Sequence, residues 1–275
     1  MMSGKYLYIF LMFFSIHSVG NSQNLSNELL KDYSYNQLED YLNPLSQAFG
    51  TSLSSGIYYS AESHNFPHFD IGISYASTAI PSSKMIQDDS LRSPTVFGRA
   101  VDDSTRLSGL HISEFKLPVV HFSMGIGDNT ELILRYTSWN IARIGKVNLF
   151  GGGIKYELEN LLSISPIPVD VAILAIYQKY EVDDILEGAV FNMNIIGSRH
   201  FGIIPLSLYG GVGYMNNTTN YNRNNGVEEE SYSIGGLEEI KYQIGVSYNI
   251  LIFRLNVEYS FGKYNTFNGG IRLVL

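Results

Sequence analysis

Lys241-Tyr-Gln-Ile-Gly-Val-Ser-Tyr-Asn-Ile-Leu-Ile-Phe-Arg-Leu-Asn-Val-Glu-Tyr-Ser-Phe261 is the stretch that decides the fold. In its second half every other residue is apolar, and the residues between them are Arg254, Asn256, Glu258 and Ser260. Because successive side chains of a strand point to opposite faces, the stretch predicts a ribbon with one apolar and one polar face. In a soluble sandwich the apolar face would cover a core, whereas in a transmembrane barrel it would meet lipid.

The same period of two recurs along most of the chain from Phe69 onward. It is clear in the segments 69–76, 120–126, 131–137, 191–195, 206–214 and 240–249. Many of these segments extend to about ten residues, the length that a tilted strand needs to cross a bilayer. No long amphipathic helix separates them, which argues against a βαβ architecture.

The predicted connections alternate in length, which is typical of a barrel inserted from one side of a membrane. Asn249-Ile250 and residues 197–200 are short, whereas the polar stretch from Asn216 to Leu237 and the acidic residues 181–184 predict longer external loops. Leu161 to Pro168 breaks the rule, as a long connection on the predicted periplasmic side. An even number of strands follows if both termini face the periplasm.

Composition excludes several classes of protein. The 275 residues carry a net charge of -8, 45% apolar residues, 20 Tyr, 15 Phe, 26 Gly and no Cys. A mean hydropathy of +0.01 argues against a helical membrane protein but suits a barrel, in which only alternate residues touch lipid. The acidic balance argues against a nucleic-acid partner, and the lack of Cys excludes disulfides, a lipoprotein anchor and thiolate chemistry.

The N-terminus has the pattern of a secretory signal peptide over residues 1–20. A short basic start is followed by an apolar run from Tyr6 to Ile16 and by small residues near Gly20. The alternative is a buried N-terminal helix or strand. Residues 21–67 predict a periplasmic or lumen-plugging segment with short helices that end near Pro44, and residues 68–275 predict the barrel.

The last strand resembles the signal by which outer-membrane proteins are recognised by the barrel-insertion machinery. Phe267, Gly269, Ile271, Leu273 and Leu275 share one face and reach the C-terminus. That signal normally ends in Phe or Trp, whereas this chain ends in Leu. The resemblance implies the insertion machinery and outer-membrane lipid as partners.

Further segments resemble an uncharacterised family of Bacteroidetes outer-membrane β-barrels that is defined only as a domain of unknown function. They include Tyr41-Leu-Asn-Pro-Leu45, Thr95-Val-Phe-Gly98, Gly153-Ile-Lys-Tyr-Glu157 and Leu208-Tyr-Gly-Gly-Val-Gly-Tyr214. The resemblance covers nearly the whole mature chain and implies a fold and a location, but no chemistry. The Gly/Ser/Tyr-rich stretch from Phe49 to Pro67 is loosely similar to fatty-acid-transport-type barrels, in which the equivalent segment plugs the lumen.

Histidines are the first candidates for chemistry. His64 and His68 have the spacing of a helical metal pair, but Pro67 and the lack of a third ligand favour two loop residues. His121 shares its predicted face with Ser123, yet no Gly-x-Ser-x-Gly motif accompanies them, so a hydrogen-bonded lumen residue is favoured over a lipid hydrolase. We therefore predict no catalytic residue, no metal and no cofactor. Gly151-Gly152-Gly153 lacks the Lys-Ser/Thr of a phosphate loop and predicts either a kink or a site of close packing in a strand.

Charged residues on the predicted polar faces are the candidates for lining the lumen. With His121, they are Asp70, Glu131, Arg135, Lys155, Asp170, Lys241, Arg254, Glu258 and Arg272. Both signs are present, so they can form a closed core of ion pairs or line a small pore.

These observations predict an all-β protein: a transmembrane antiparallel β-barrel of about 12 strands, with 10 to 14 possible, in the outer membrane of a Gram-negative bacterium. The predicted function is that of a channel or transporter for small or hydrophobic molecules. The alternative is a closed structural barrel whose external loops bind a partner. A soluble secreted β-protein is the alternative fold.

Overall fold

A computed structural model describes residues 25, 30, 34–85, 95–98, 109–158, 169–202, 204–224 and 229–275. The predicted signal peptide, residues 1–20, lies outside this described part of the chain. The predicted long connection from Leu161 to Pro168 lies outside it as well.

The described residues form one helix of several turns and ten antiparallel strands that close into a barrel. The elements are α1 (Tyr35–Leu53), β1 (Phe69–Ala79), β2 (Glu114–Gly127), β3 (Thr130–Ile141), β4 (Gly145–Glu157), β5 (Asp170–Val182), β6 (Leu186–Phe201), β7 (Leu206–Asn224), β8 (Glu229–Ile250), β9 (Phe253–Phe261) and β10 (Thr266–Val274). A short 3-10 helix spans Ser82–Lys84. Each strand pairs with its neighbours in sequence, and β1 closes the ring by pairing with β10.

The structure has ten strands in its described part rather than about 12, and ten is the lower limit of the predicted range of 10 to 14. Residues 54–67, which could have supplied a further strand, contain none and instead run through the barrel. The long external loop predicted from Asn216 to Leu237 is wrong in large part. Its polar residues continue β7 and β8, which pair far beyond the ends of β9 and β10.

The two ends of the barrel differ. We call the end at which β1 begins and β10 ends the lower end, and the end with the β7–β8 hairpin the upper end. The β8–β9 turn lies at the lower end at Leu251–Ile252, two residues later than predicted.

The outer surface is apolar over the lower part of the barrel and polar near the upper end. Large exposed apolar side chains on the outer faces include Ile71, Tyr136, Ile154, Tyr242, Val257 and Phe267. Further up the same faces, the exposed residues include Lys116, Ser138, Glu181, Glu187 and Thr218. A tall apolar band with aromatic residues is typical of the lipid-facing surface of a transmembrane barrel.

The interior has the opposite distribution. Near the upper end it is filled by a core in which α1 packs against apolar residues of the wall, such as Phe115, Leu149, Val182 and Leu186. Further down it holds buried charged and amide side chains. At its upper end the barrel has an apolar core and a polar surface, as a soluble protein does. At the level of the apolar band the interior is polar and the outer surface is apolar.

Glycines on the inner face make room for long side chains of the neighbouring strand. A Cβ on Gly72 would lie 2.6 Å from Cγ of Arg272, and a Cβ on Gly245 would lie 2.2 Å from the ring of Tyr209. Gly151 faces Gln178 in the same way, at 2.5 Å. The triple glycine is thus part of β4, and it allows a narrow barrel to hold large polar residues.

No helix in the described part of the chain is long and apolar enough to cross a membrane.

Candidate functional site

The lumen is occupied by the chain itself. Residues 34–68, which we call the plug, cross it from the upper to the lower end. Tyr35 Oη donates to the carbonyl oxygen of Ser233 near the upper end at 2.6 Å, and the plug is followed by Phe69, whose N–H donates to Leu275 O at the lower end at 2.9 Å. The plug consists of α1 and an irregular strap, residues 54–68. The wall residues that contact this plug form the candidate site.

The upper half of the plug is a helix held by apolar packing. Ser34 and Gln37 form a capping box at its start. Phe49 stacks on Tyr180, with ring centroids 4.6 Å apart, and meets Phe115 edge-on at the same distance. The helix passes through Pro44 and continues to Leu53, so the prediction that it ends near Pro44 is wrong. Burial of the apolar face on both sides of Pro44 outweighs the lost hydrogen bond.

The end of the helix meets polar side chains from opposite sides of the wall. Arg135 Nη1 donates to Leu53 O at 2.6 Å, and Lys241 Nζ donates to Thr51 O at 2.9 Å. Two amides complete the set, because Gln178 Nε2 donates to Leu53 O at 3.0 Å and Gln243 Nε2 donates to Ser54 O at 2.6 Å. We call Arg135, Gln178, Lys241 and Gln243 the carbonyl clamp. It satisfies carbonyl groups that a helix end leaves free, and it places positive charge at the negative end of the helix dipole.

The strap is held in the same manner further down. Lys155 Nζ donates to Glu62 O at 2.7 Å, and Arg272 Nη2 donates to Gly56 O at 3.4 Å. In return, the N–H of Gly56 donates to Glu258 Oε1 at 2.9 Å. The plug thus lacks the regular ladder of a strand, and wall side chains satisfy its backbone instead.

A cluster of charges fixes the lower end of the strap. His64 Nδ1 lies 2.9 Å from Glu131 Oε2, and its Nε2 lies 3.6 Å from Asp70 Oδ2. Tyr59 Oη donates to Asp70 Oδ2 at 2.5 Å. Asp70 Oδ2 also accepts from Ser123 Oγ, so two hydroxyl groups donate to the same carboxylate.

The three groups His64, Asp70 and Glu131 lie close enough together to be considered as metal ligands. However, Lys155 Nζ lies 3.0 Å from Glu131 Oε2, and Arg272 Nη1 lies 3.3 Å from Asp70 Oδ1. Two cations already neutralise both carboxylates, so a divalent ion does not fit the charge of this cluster. His68 points elsewhere, with its Nδ1 3.0 Å from Asn65 O.

The structure offers no support for the pairing of His121 with Ser123. Both are buried, but Ser123 Oγ donates to Asp70 Oδ2 at 2.8 Å rather than contacting the imidazole. Nδ1 of His121 has no hydrogen-bond partner among the described residues. A nucleophile held by a carboxylate without a base beside it does not form a triad.

Eight of the predicted lumen residues are almost completely buried inside the barrel: Asp70, His121, Glu131, Arg135, Lys155, Lys241, Glu258 and Arg272. The other two lie toward the lower end and are partly exposed. Arg254 stacks its guanidinium 4.4 Å from the ring centre of Tyr59, and Asp170 begins β5.

Sequence reasoning did not find Gln178, Gln243 and Tyr59 as site residues. Gln178 lies in a segment with apolar residues on both faces, because the wall there covers a second apolar cluster of the strap and β5. Nothing in the period of two distinguishes Gln243 from other polar inward residues. The backbone carbonyls that these amides bind belong to a segment without a repeating pattern, so the sequence carries no signal for them.

The chain matches a family described as a family of unknown function (DUF6588) over residues 2–275. No curated protein is significantly similar to it.

Among solved structures, it is similar to Neisserial surface protein A, at 10% identity over 75% of this chain and 96% of that chain, with a TM-score of 0.32. It is also similar to the translocator domain of the autotransporter NalP from Neisseria meningitidis (10% identity, 77% and 89% covered, TM-score 0.37) and to the Ralstonia pickettii toluene transporter TbuX (8% identity, 93% and 94% covered, TM-score 0.28).

Proposed function

The chain belongs to this family of unknown function, and because membership names no activity, we propose from the lumen geometry that it is a gated outer-membrane channel or transporter for small molecules. In this proposal the plug is the gate, and the observed arrangement is the closed state. The protein acts without catalysing a reaction, and a Gram-negative, Bacteroidetes origin stays a prediction.

One observation supports a gate most directly: buried cations of the wall bind backbone carbonyls of the plug. Arg135 and Lys241 donate to carbonyl oxygens of the plug and form no ion pair in the described part of the chain, so their charges become free for water or a solute when the plug moves. Hydrogen bonds of this kind are exchanged for bonds to water at a net cost of only about 1.5–3 kcal/mol each. Once the plug withdraws, the lower wall is already suited to a hydrated passage.

The location in a membrane is supported by the band of exposed apolar side chains around the lower barrel. Ile154, Tyr242 and Val257 are about half exposed there, which a soluble protein would tolerate poorly over so large an area. Fractionation tests this part of the proposal. The protein should sediment with outer membranes and change its gel mobility on boiling in detergent, whereas a soluble protein without such a shift would contradict it.

The second candidate, a closed barrel that binds a partner, is favoured by a different observation. The upper half of the plug is fixed by stacked and buried rings such as Phe49 and Tyr180, and each buried apolar side chain contributes about 1.5–3 kcal/mol. The polar stretch that begins at Asn216 contacts the plug, because Asn217 Nδ2 donates to Ser46 O of the plug at 2.8 Å. A change at Asn217 would therefore disturb the plug.

Disulfide locks distinguish the two candidates, because the chain contains no Cys of its own. Ser60 Oγ of the strap lies 3.2 Å from Ser198 Oγ of the wall, and Ser46 Oγ of the helix lies 2.6 Å from Thr219 Oγ1. These contacts bring each pair within the reach of a disulfide. We would record single-channel currents of the full chain and of the Ser60→Cys/Ser198→Cys and Ser46→Cys/Thr219→Cys variants in planar bilayers.

For a gated channel we expect conductance steps in the reduced proteins, their loss on oxidation in either variant, and their return with a reductant. The single Ser60→Cys and Ser46→Cys variants, treated with the same oxidant, are the controls. Steps that persist when the disulfide is fully formed would show that the plug is not the gate. Reduced proteins that never conduct at any applied voltage would favour the closed barrel.

A further inference from the structure

We infer that the carbonyl clamp is an anion-binding constriction, and that the channel therefore prefers small organic or inorganic anions. This inference rests on the proposed function and narrows the small or hydrophobic ligand expected from the sequence. In the closed state, the clamp side chains donate to carbonyl oxygens at the end of α1. In the open state, the same side chains donate to the oxygens of an anion instead.

The clamp has the donors that such a ligand needs and presents them from two sides. Arg135 belongs to β3 and donates through both terminal nitrogens, to Leu53 O at 2.6 Å and to Ser55 O at 3.2 Å. Lys241 belongs to β8 and donates to Thr51 O at 2.9 Å. A guanidinium fork that holds two oxygens is well suited to a carboxylate or phosphate, and an ammonium adds a second charge.

Neither clamp cation forms an ion pair with a carboxylate among the described residues. Within the described part of the chain, the ion pairs of the lower lumen join Glu131 to Lys155 and Asp70 to Arg272, and none includes Arg135 or Lys241. Arg135 and Lys241 are both at most 2% exposed. Arg135 and Lys241 donate only to carbonyl and amide oxygens, and the nearby carboxylate of Glu258 is one negative charge against their two positive charges. An anion that enters beside them therefore gains a favourable interaction.

A donor group of Arg135 without a partner also supports an anion site in the clamp. Nε of Arg135 is buried and has no hydrogen-bond partner among the described residues. A buried guanidinium nitrogen without an acceptor is costly, and an anion in the clamp could accept from it. Glu258 is a buried carboxylate that attracts both clamp cations, but it forms no ion pair with either of them in the described part of the chain. Its Oε1 accepts from the N–H of Gly56 and from Ser260 Oγ, and its Oε2 has no hydrogen-bond partner among the described residues.

The permeability ratio of chloride to potassium tests the inference, because the reversal potential in a KCl gradient does not depend on how often the channel opens. We would measure it for the full chain, and then with potassium acetate in place of KCl to include a carboxylate. The decisive variant is Arg135→Gln/Lys241→Gln. The matched control is Lys179→Gln, which removes a positive charge from the exposed outer face of β5.

We expect the full chain to select chloride and acetate over potassium, and the double variant to lower that ratio at least about threefold, while Lys179→Gln leaves it unchanged. The Arg135→Lys/Lys241→Arg variant changes the same two positions but keeps both charges, so it should keep the anion selectivity. It distinguishes the loss of charge from a general disturbance of the fold at these positions. Conducting channels without anion preference, or a ratio unchanged in the double variant, would overturn the inference alone. An absence of conductance in all proteins would overturn the proposed function and the inference with it.

Discussion

Arg135 Nη1 lies 2.6 Å from the carbonyl oxygen of Leu53, the last residue of the only long helix in the described part of the chain. This contact joins a wall strand to the plug, and it ties the helix end to a cation that forms no ion pair among the described residues. It explains how a barrel with charges in its interior can be tightly filled. A movement of the plug would break this hydrogen bond and leave the buried guanidinium of Arg135 without that acceptor.

Replacing Arg135 by Ala should weaken the plug. The change removes charge-assisted hydrogen bonds to Leu53 O and Ser55 O, each worth about 1.5–3 kcal/mol, so we expect a destabilisation of at least that size. Urea unfolding in detergent micelles measures it. Lys179→Ala on the outer face is the matched loss of a cation and should change stability by less than about 0.5 kcal/mol. If both changes lowered the free energy of unfolding equally, the hydrogen bonds of Arg135 to the plug would not be what stabilises it.

The packing of α1 inside the barrel should depend strongly on the ring of Phe49. Phe49→Ala removes a fully buried ring that touches Phe115 and Tyr180, and we expect a loss of about 3–5 kcal/mol. Phe66→Ala is the control, because that ring is 69% exposed at the lower end of the plug. Protease digestion of the folded protein should also cut the plug faster in Phe49→Ala. Unfolding free energies that fall equally in both variants would show that the helix is not held by this packing.

The inner glycines give a third prediction. A Cβ on Gly153 would lie 2.5 Å from the backbone oxygen of Ala175, whereas nothing lies within 4 Å of a Cβ on Gly269. Gly153→Ala should therefore cost about 1–3 kcal/mol and lower the yield of folded barrel, while Gly269→Ala should be neutral. The fraction of heat-modifiable protein on a gel measures this. A neutral Gly153→Ala would mean that β4 and β5 can separate without cost.

The sequence predicted the closed antiparallel architecture, because the period of two separates inner from outer faces residue by residue. The same period selected eight polar residues that are buried inside the barrel, and their role in lining a passage stays a prediction. It failed where side chains do not alternate. The strap from Ser54 to His68 has its backbone satisfied by distant wall residues such as Lys155 and Glu258, and no local pattern encodes such partners. Pro44 misled the helix prediction because the packing that overrides it is tertiary.

The direction of the plug gives the last prediction. Tyr35 lies beside Tyr232 and Ser233 near the upper end, and the N–H of Leu25 donates to Arg143 O in the upper β3–β4 connection at 3.1 Å. In outer-membrane barrels the short turns face the periplasm, so the lower end would face inward and the upper end outward. The segment before α1 should therefore be accessible from the cell surface, although an even strand count alone would suggest a periplasmic N-terminus.

An epitope inserted between Asn21 and Ser22 should bind antibody on intact cells, and so should one placed in the β5–β6 turn at Asp184. An epitope in the lower turn at Leu251 is the control, and it should be detected only after the cells are permeabilised. If the N-terminal epitope behaves like the one at Leu251, the plug does not cross the lumen in the observed direction. If all three give the opposite pattern, the barrel is inserted with its upper end inward.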